Sequence, residues 1–143
     1  MIEADKNSQT STGVKEFSAS SGRKRILVIE DNLMMLRTLN LILTRQGYKV
    51  VEARNGKEAL IALKEQRYDL VLTDLMLPYA NGYEIIGRLR ENIEQQEVPV
   101  IILSAIHDEE AVLDGFGMGA DDYVKKPFTP GELLSRVSRL IDK

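Results

Sequence analysis

The sequence predicts an α/β domain, a doubly wound five-stranded parallel sheet with helices on both faces. Three observations carry that prediction. From Arg25 onward, short apolar runs rich in branched side chains alternate with stretches whose apolar residues recur at helical spacing. Strands alternating with helices call for a parallel sheet covered on both sides. Several of the strand-like runs also end in a carboxylate or hydroxyl, which is where doubly wound sheets bind ligands.

The elements follow in order. Arg25 to Ile29 reads as a strand ending in Glu30 and Asp31. Met35, Leu39, Ile42 and Leu43 keep helical spacing, and Gly47 is placed to terminate that helix. Val50 and Val51 mark a second strand. Gly56 to Lys64 reads as a helix with Ala59, Leu60 and Leu63 inward. Leu70 to Thr73 is a third buried strand and ends at Asp74. Tyr83 to Leu89 is helical, with Ile85, Ile86 and Leu89 apolar. Val100 to Leu103 forms the fourth strand and ends at Ser104. Ala111 to Gly117 is a shorter helix, and Asp122 to Lys125 a fifth, less apolar strand. The last helix has the clearest start. Thr129-Pro130-Gly131-Glu132 fits a capping box with Thr129 as N-cap, Pro130 at N1 and Glu132 at N3. Leu133, Leu134, Val137, Leu140 and Ile141 then supply its apolar face.

Composition bounds the function. The 143 residues suffice for one ordinary domain. Residues 1–22 are polar, with Val14 and Phe17 isolated, so they are expected to be a disordered tail ahead of a domain spanning 23–143. A native tail, a linker from an upstream domain and an expression remnant all fit that composition. The absence of cysteine excludes disulfides, thiolate catalysis and zinc–thiolate sites. The net charge of -3 argues against direct nucleic-acid binding by this segment. No run is apolar and long enough to span a bilayer, and the start has no secretory apolar core, so a cytoplasmic location without membrane contact is expected.

The strand ends concentrate chemistry. The first strand delivers Glu30 and Asp31, the third Asp74, the fourth Ser104, and the loop after the fifth Lys126. Each alone has an ordinary reading as a turn, a cap or a solvated charge. Together at one sheet edge, three acidic groups call for a hard divalent cation, and magnesium suits oxygen ligands. A lysine and a hydroxyl beside them suit phosphoryl oxygens, and a carboxylate is a legitimate covalent nucleophile. This site selects the flavodoxin-like strand order 2-1-3-4-5 over the other common doubly wound order.

From Lys24 to Lys143 the chain resembles the bacterial response-regulator receiver family, the CheY-like superfamily. The residues that carry the likeness are Val28-Ile29-Glu30-Asp31-Asn32, Thr73-Asp74-Leu75-Met76-Leu77-Pro78 with Gly82, Ser104-Ala105, and Gly119 to Phe128. The resemblance implies that Asp74 is the phosphoacceptor. It implies a Mg2+ held by Asp31, Asp74 and the backbone carbonyl of Met76, with Glu30 completing the pocket, often through a water. Ser104 takes the switch hydroxyl position, Lys126 the family's lysine position, and Tyr123 the switch-aromatic position. The Lys126-Pro127 bond is expected to be cis. The implied partner is a sensor histidine kinase or a histidine phosphotransfer protein, and the implied role is a signalling switch rather than a metabolic enzyme. Met76 and Ile106 flank the site without a group to orient water, which predicts a moderately long-lived phosphoryl state. His107, the single histidine, reads as a solvated loop residue.

The C-terminal part resembles receivers of OmpR/PhoB-type regulators. That likeness marks Asp121, Asp122, Glu132 and Arg136 as candidates for a homodimer face formed by the fourth helix, fifth strand and fifth helix. Two outputs follow from the resemblance: a single-domain regulator acting through protein contacts, or the receiver part of a longer DNA-binding regulator or hybrid kinase. A flavodoxin-like cofactor binder is disfavoured, because the first strand-to-helix loop is acidic and lacks glycine. A magnesium-dependent hydrolase would place its nucleophile after the first strand, and a non-phosphorylated scaffold would not need every site position filled.

Overall fold

A computed structural model describes residues 22–77, 81–105 and 109–142. The expectations for the tail before residue 22, and for Pro78, Ile106 and His107, lie outside the described residues. The strands are β1 (Arg25–Ile29), β2 (Lys49–Ala53), β3 (Leu70–Thr73), β4 (Val100–Ser104) and β5 (Asp122–Lys125). The helices are α1 (Leu33–Arg45), α2 (Gly56–Glu65), α3 (Gly82–Glu91), α4 (Glu109–Gly117) and α5 (Pro130–Ile141). All strand pairs are parallel and the spatial order is β2-β1-β3-β4-β5, as expected.

The period-two alternation of the strands splits the core in two. Leu27, Ile29, Val71 and Ile102 point to the face covered by Ala59 and Leu63 of α2 and by Ile85, Ile86 and Leu89 of α3. Ile26, Val28, Leu70, Leu72, Ile101, Leu103 and Val124 point to the other face, under Leu36, Leu39 and Leu43 of α1 and Leu133 and Val137 of α5. The central strands β3 and β4 are buried along their whole length, which is why they read as unbroken apolar runs.

The edge strand β2 is longer than its valine pair suggests, because the exposed Lys49 and Glu52 belong to it. An edge strand keeps pairing on one side while its outer residues face water, so apolar content underestimates its length. α1 stops in a Schellman turn. Gly47 has φ 98, its N–H donates to Thr44 O at 3.0 Å, and Tyr48 N–H donates to Leu43 O at 3.2 Å.

Side-chain caps set the helix starts. Asn32, Asn55, Asn81 and Thr129 each accept a hydrogen bond from the backbone N–H three residues on, heading α1, α2, α3 and α5. The cap at Asn81 starts α3 one residue before Tyr83. In α5 the Thr129 half of the capping box is formed, while the Glu132 carboxylate lies 4.0 Å from Arg136 Nε. α4 begins at Glu109, ahead of the expected Ala111, because its first turn is acidic rather than apolar.

Candidate functional site

The polar strand ends do converge. Parallel pairing puts Ile29 beside Thr73, so the residues that follow, Glu30 and Asp74, emerge from neighbouring strands. Backbone bonds continue past the strand ends. Glu30 N–H donates to Ala53 O at 3.0 Å, and Asp74 N–H donates to Ile29 O at 3.1 Å. On the other side, Ser104 is paired with Lys125 across β4 and β5, and Lys126 N–H donates to the Ser104 carbonyl at 3.0 Å. The Lys126-Pro127 peptide is cis, as the resemblance implies.

Lys126 is the centre of the arrangement. Its Nζ donates to Glu30 Oε1 at 2.6 Å and to Asp74 Oδ2 at 2.8 Å. The other carboxylate oxygens are held by backbone amides: Asn32 N–H donates to Glu30 Oε2 and Met76 N–H to Asp74 Oδ1, each at 3.1 Å. Glu30, Asp74 and Ser104 are buried, whereas Asp31 is exposed. Oxygens of Glu30, Asp31 and Asp74 lie within 4.8 Å of one another. Three carboxylates with no nitrogen or sulfur donor among them fit a hard divalent cation, entering from the exposed Asp31 side.

Burial pushes the Glu30 carboxyl above its ordinary value, against the opposing pull of Lys126 and the Asn32 amide. Burial also acts to lower the Lys126 ammonium, but its hydrogen bonds to Asp74 and Glu30 outweigh that, and it ends raised. Both are raised, to opposite effect: the ammonium, with two carboxylate partners, is held as the cation, whereas desolvation disfavours the Glu30 anion. Tyr123 is raised by burial, partly offset by hydrogen bonding with Ser104. The switch-position pair Ser104 and Tyr123 is therefore in contact.

The Asp74 turn is braced from below. Thr73 Oγ1 donates to the Asp74 carbonyl at 2.8 Å, and Gly82 N–H donates to Leu75 O at 3.0 Å. A Cβ on Gly82 would stand 2.6 Å from the Asp74 carbonyl oxygen and 2.9 Å from Leu75 Cα. Only glycine lets α3 start this close to the Asp74 backbone. Met76 contributes its backbone to the rim, and its side chain is 67% exposed.

Residues 26–138 match the response regulator receiver domain. The chain belongs to that family. The receiver is 40% identical over 117 residues to the transcriptional regulatory protein ResD of Bacillus subtilis (strain 168), an alignment covering 82% of this chain and 48% of ResD. It thus spans about half the length of the curated relatives it matches. Among solved structures, the receiver domain of the sensor histidine kinase PA1611 from Pseudomonas aeruginosa PAO1 has a TM-score of 0.79 and 30% identity, covering 85% of this chain and all of that one. That structure holds a magnesium ion in its active-site cleft. The BeF3-activated DrrB receiver domain has a TM-score of 0.77 and 36% identity, over 85% of this chain and 99% of its own. Receiver domains are signalling switches that work with histidine kinases and phosphotransfer proteins, and among the described residues of this receiver no helix is long and apolar enough to cross a membrane.

The candidate dimer-face charges are already engaged within the receiver. Asp122 is buried, and it accepts from Arg136 Nη1 at 2.8 Å and Arg139 Nη2 at 2.6 Å. Asp121 accepts from Val100 N–H at 2.8 Å and from Arg90 Nη2 at 3.0 Å. Arg90 also donates to the carbonyls of Gln96, Val98 and Gly119, closing the end of the sheet opposite the carboxylates. Sequence reasoning missed Arg90 and Arg139, since a helical arginine carries no local sign of what it reaches.

Proposed function

We propose that this receiver accepts a phosphoryl group on Asp74 from a histidine kinase or histidine phosphotransfer protein and thereby switches a protein-interaction surface. The observation that supports this best is Lys126 Nζ placed between Glu30 and Asp74, with the Ser104 hydroxyl buried on the adjoining strand end. An Asp74 oxygen attacks phosphorus, the phosphorus–nitrogen bond of the donor phosphohistidine breaks, and the imidazole keeps the electron pair. Mg2+, when bound by Glu30, Asp31, Asp74 and the Met76 carbonyl, supplies the neutralisation that lets an anionic donor approach three carboxylates. Lys126 turns from the Asp74 carboxylate to a phosphoryl oxygen, and Ser104 donates a hydrogen bond to another. Those contacts move Ser104 relative to Tyr123 and shift a pre-existing equilibrium at α4, β5 and α5.

The receiver unit is taken as residues 23–143, working in the cytoplasm. Its relative ResD is a transcriptional regulatory protein twice this length, which favours the receiver part of a longer regulator as the setting, with dimerisation through Asp121, Asp122, Glu132 and Arg136 as its output. The test is intact mass after incubation with acetyl phosphate, with and without Mg2+, for wild type and Asp74→Asn. A gain of one phosphoryl group that needs both Mg2+ and Asp74 is expected. No gain in a folded wild-type protein would overturn autonomous phosphorylation.

A further inference from the structure

Tyr83 follows Gly82 in the first turn of α3, and Gly82 lies so close to the Asp74 turn that a Cβ on it would meet the Asp74 carbonyl, which ties the start of α3 to that turn. The half-buried Tyr83 ring packs on the lower core cluster, which contains Ile102 and against which Tyr123 also packs. Ile102 and Tyr123 are register partners on β4 and β5, so their side chains share that face. Above them, Gly115 brings α4 down until a Cβ there would stand 2.5 Å from Ile102 Cδ1 and 3.8 Å from Tyr83 Cε1. The outer side of Tyr83 lines a cleft of about 440 Å³ with Leu113, Asp114, Gly117 and Met118.

Tyr83 therefore lies where three parts come together: the Asp74 turn, the Ser104–Tyr123 pair and α4. We propose that Tyr83 is a positioning residue for the switch, its ring fixing where Tyr123 sits beside Ser104 and keying α4 to that position. The proposal rests on the switch reading of Ser104 and Tyr123. Close-packed interiors transmit such placement, because a side chain wedged between neighbours cannot be withdrawn without their moving. In this role Tyr83 acts through Tyr123 and α4 rather than on a reacting atom.

The test follows the Tyr123 ring resonance in protein labelled at its tyrosine rings, first alone and then with Mg2+ and beryllofluoride. Tyr83→Ala and Gly115→Ala, which pushes on Ile102 from the other side, are expected to shift the Tyr123 signal in the free protein and to reduce its response to beryllofluoride. The Asp74 backbone amide should keep its own response. Tyr83→Phe, which retains the ring, should restore both Tyr123 readouts. Leu63→Ala opens the same core face under α2 and should leave Tyr123 unmoved. An unchanged Tyr123 signal in folded Tyr83→Ala, or an equal shift in Leu63→Ala, would overturn the proposal. A wild-type protein whose Asp74 amide responds while Tyr123 does not would sink the switch reading instead, leaving the free-protein shifts to judge Tyr83.

Discussion

Lys126 Nζ stands 2.8 Å from Asp74 Oδ2. The same ammonium is 2.6 Å from Glu30, so its removal leaves two largely buried carboxylates facing each other and the nearby Asp31. Lys126→Ala is expected to lower stability by about 2–3 kcal/mol, less than a fully enclosed pair would lose because water reaches the pocket. Urea unfolding measures this, and added Mg2+ should return part of the loss by binding the folded state alone.

Asp31 offers a contrast within the same cluster. It is exposed, so Asp31→Ala should change stability by no more than about 0.5 kcal/mol without Mg2+. The increase in melting temperature expected when Mg2+ is added to the wild type should be lost in this variant. A retained increase would exclude Asp31 as a ligand.

Gly82→Ala tests the close approach at the Asp74 turn. The new Cβ meets backbone atoms, which cannot swing aside, and overpacking of this kind costs roughly 1–3 kcal/mol. Because the displaced atom is the Asp74 carbonyl, the rate of phosphorylation by acetyl phosphate should fall as well. Gly131→Ala, with open space around it in the first turn of α5, should lower neither stability nor the phosphorylation rate.

Stability should decline in alkali. Burial, and then a hydrogen bond to Asp142, raise the Tyr48 phenol above its ordinary 10.0; Tyr68 is raised chiefly by burial, and Lys126 by its two carboxylates despite burial. A group raised on folding prefers its proton in the folded state. Its stabilisation is full below the unfolded value and is lost as pH rises through the folded one. The urea midpoint should therefore fall above about pH 10, and Tyr48→Phe should flatten part of that slope.

Much of this architecture is legible in the sequence because β3 and β4 are buried on both faces and α5 carries a Thr129 cap with Pro130 behind it. The strand-end carboxylates were legible for the same reason, since a parallel sheet must deliver them to one edge. The full extent of β2 was not, because an edge strand hides exposed Lys49 and Glu52 among its residues. Pairings far apart in sequence were also beyond reach. Nothing near Arg90 announces the carbonyls of Val98 and Gly119, and nothing near Asp122 announces that Arg139 will join Arg136 in closing over it. Gly82 was visible as part of a motif, but the steric reason for it needed the Asp74 carbonyl in place.

The fork of Arg136 and Arg139 on Asp122 bears on how two copies could meet through α4, β5 and α5. In such a pairing each copy would bring that acid already paired, so an arginine from a neighbour would have to compete with one from home. Such a swap conserves the number of ion pairs and releases few counterions, which makes association through Asp122 nearly indifferent to ionic strength. Any preference for a pair through this face would then have to come from contacts other than Asp122 and from the ease with which Arg136 lets go.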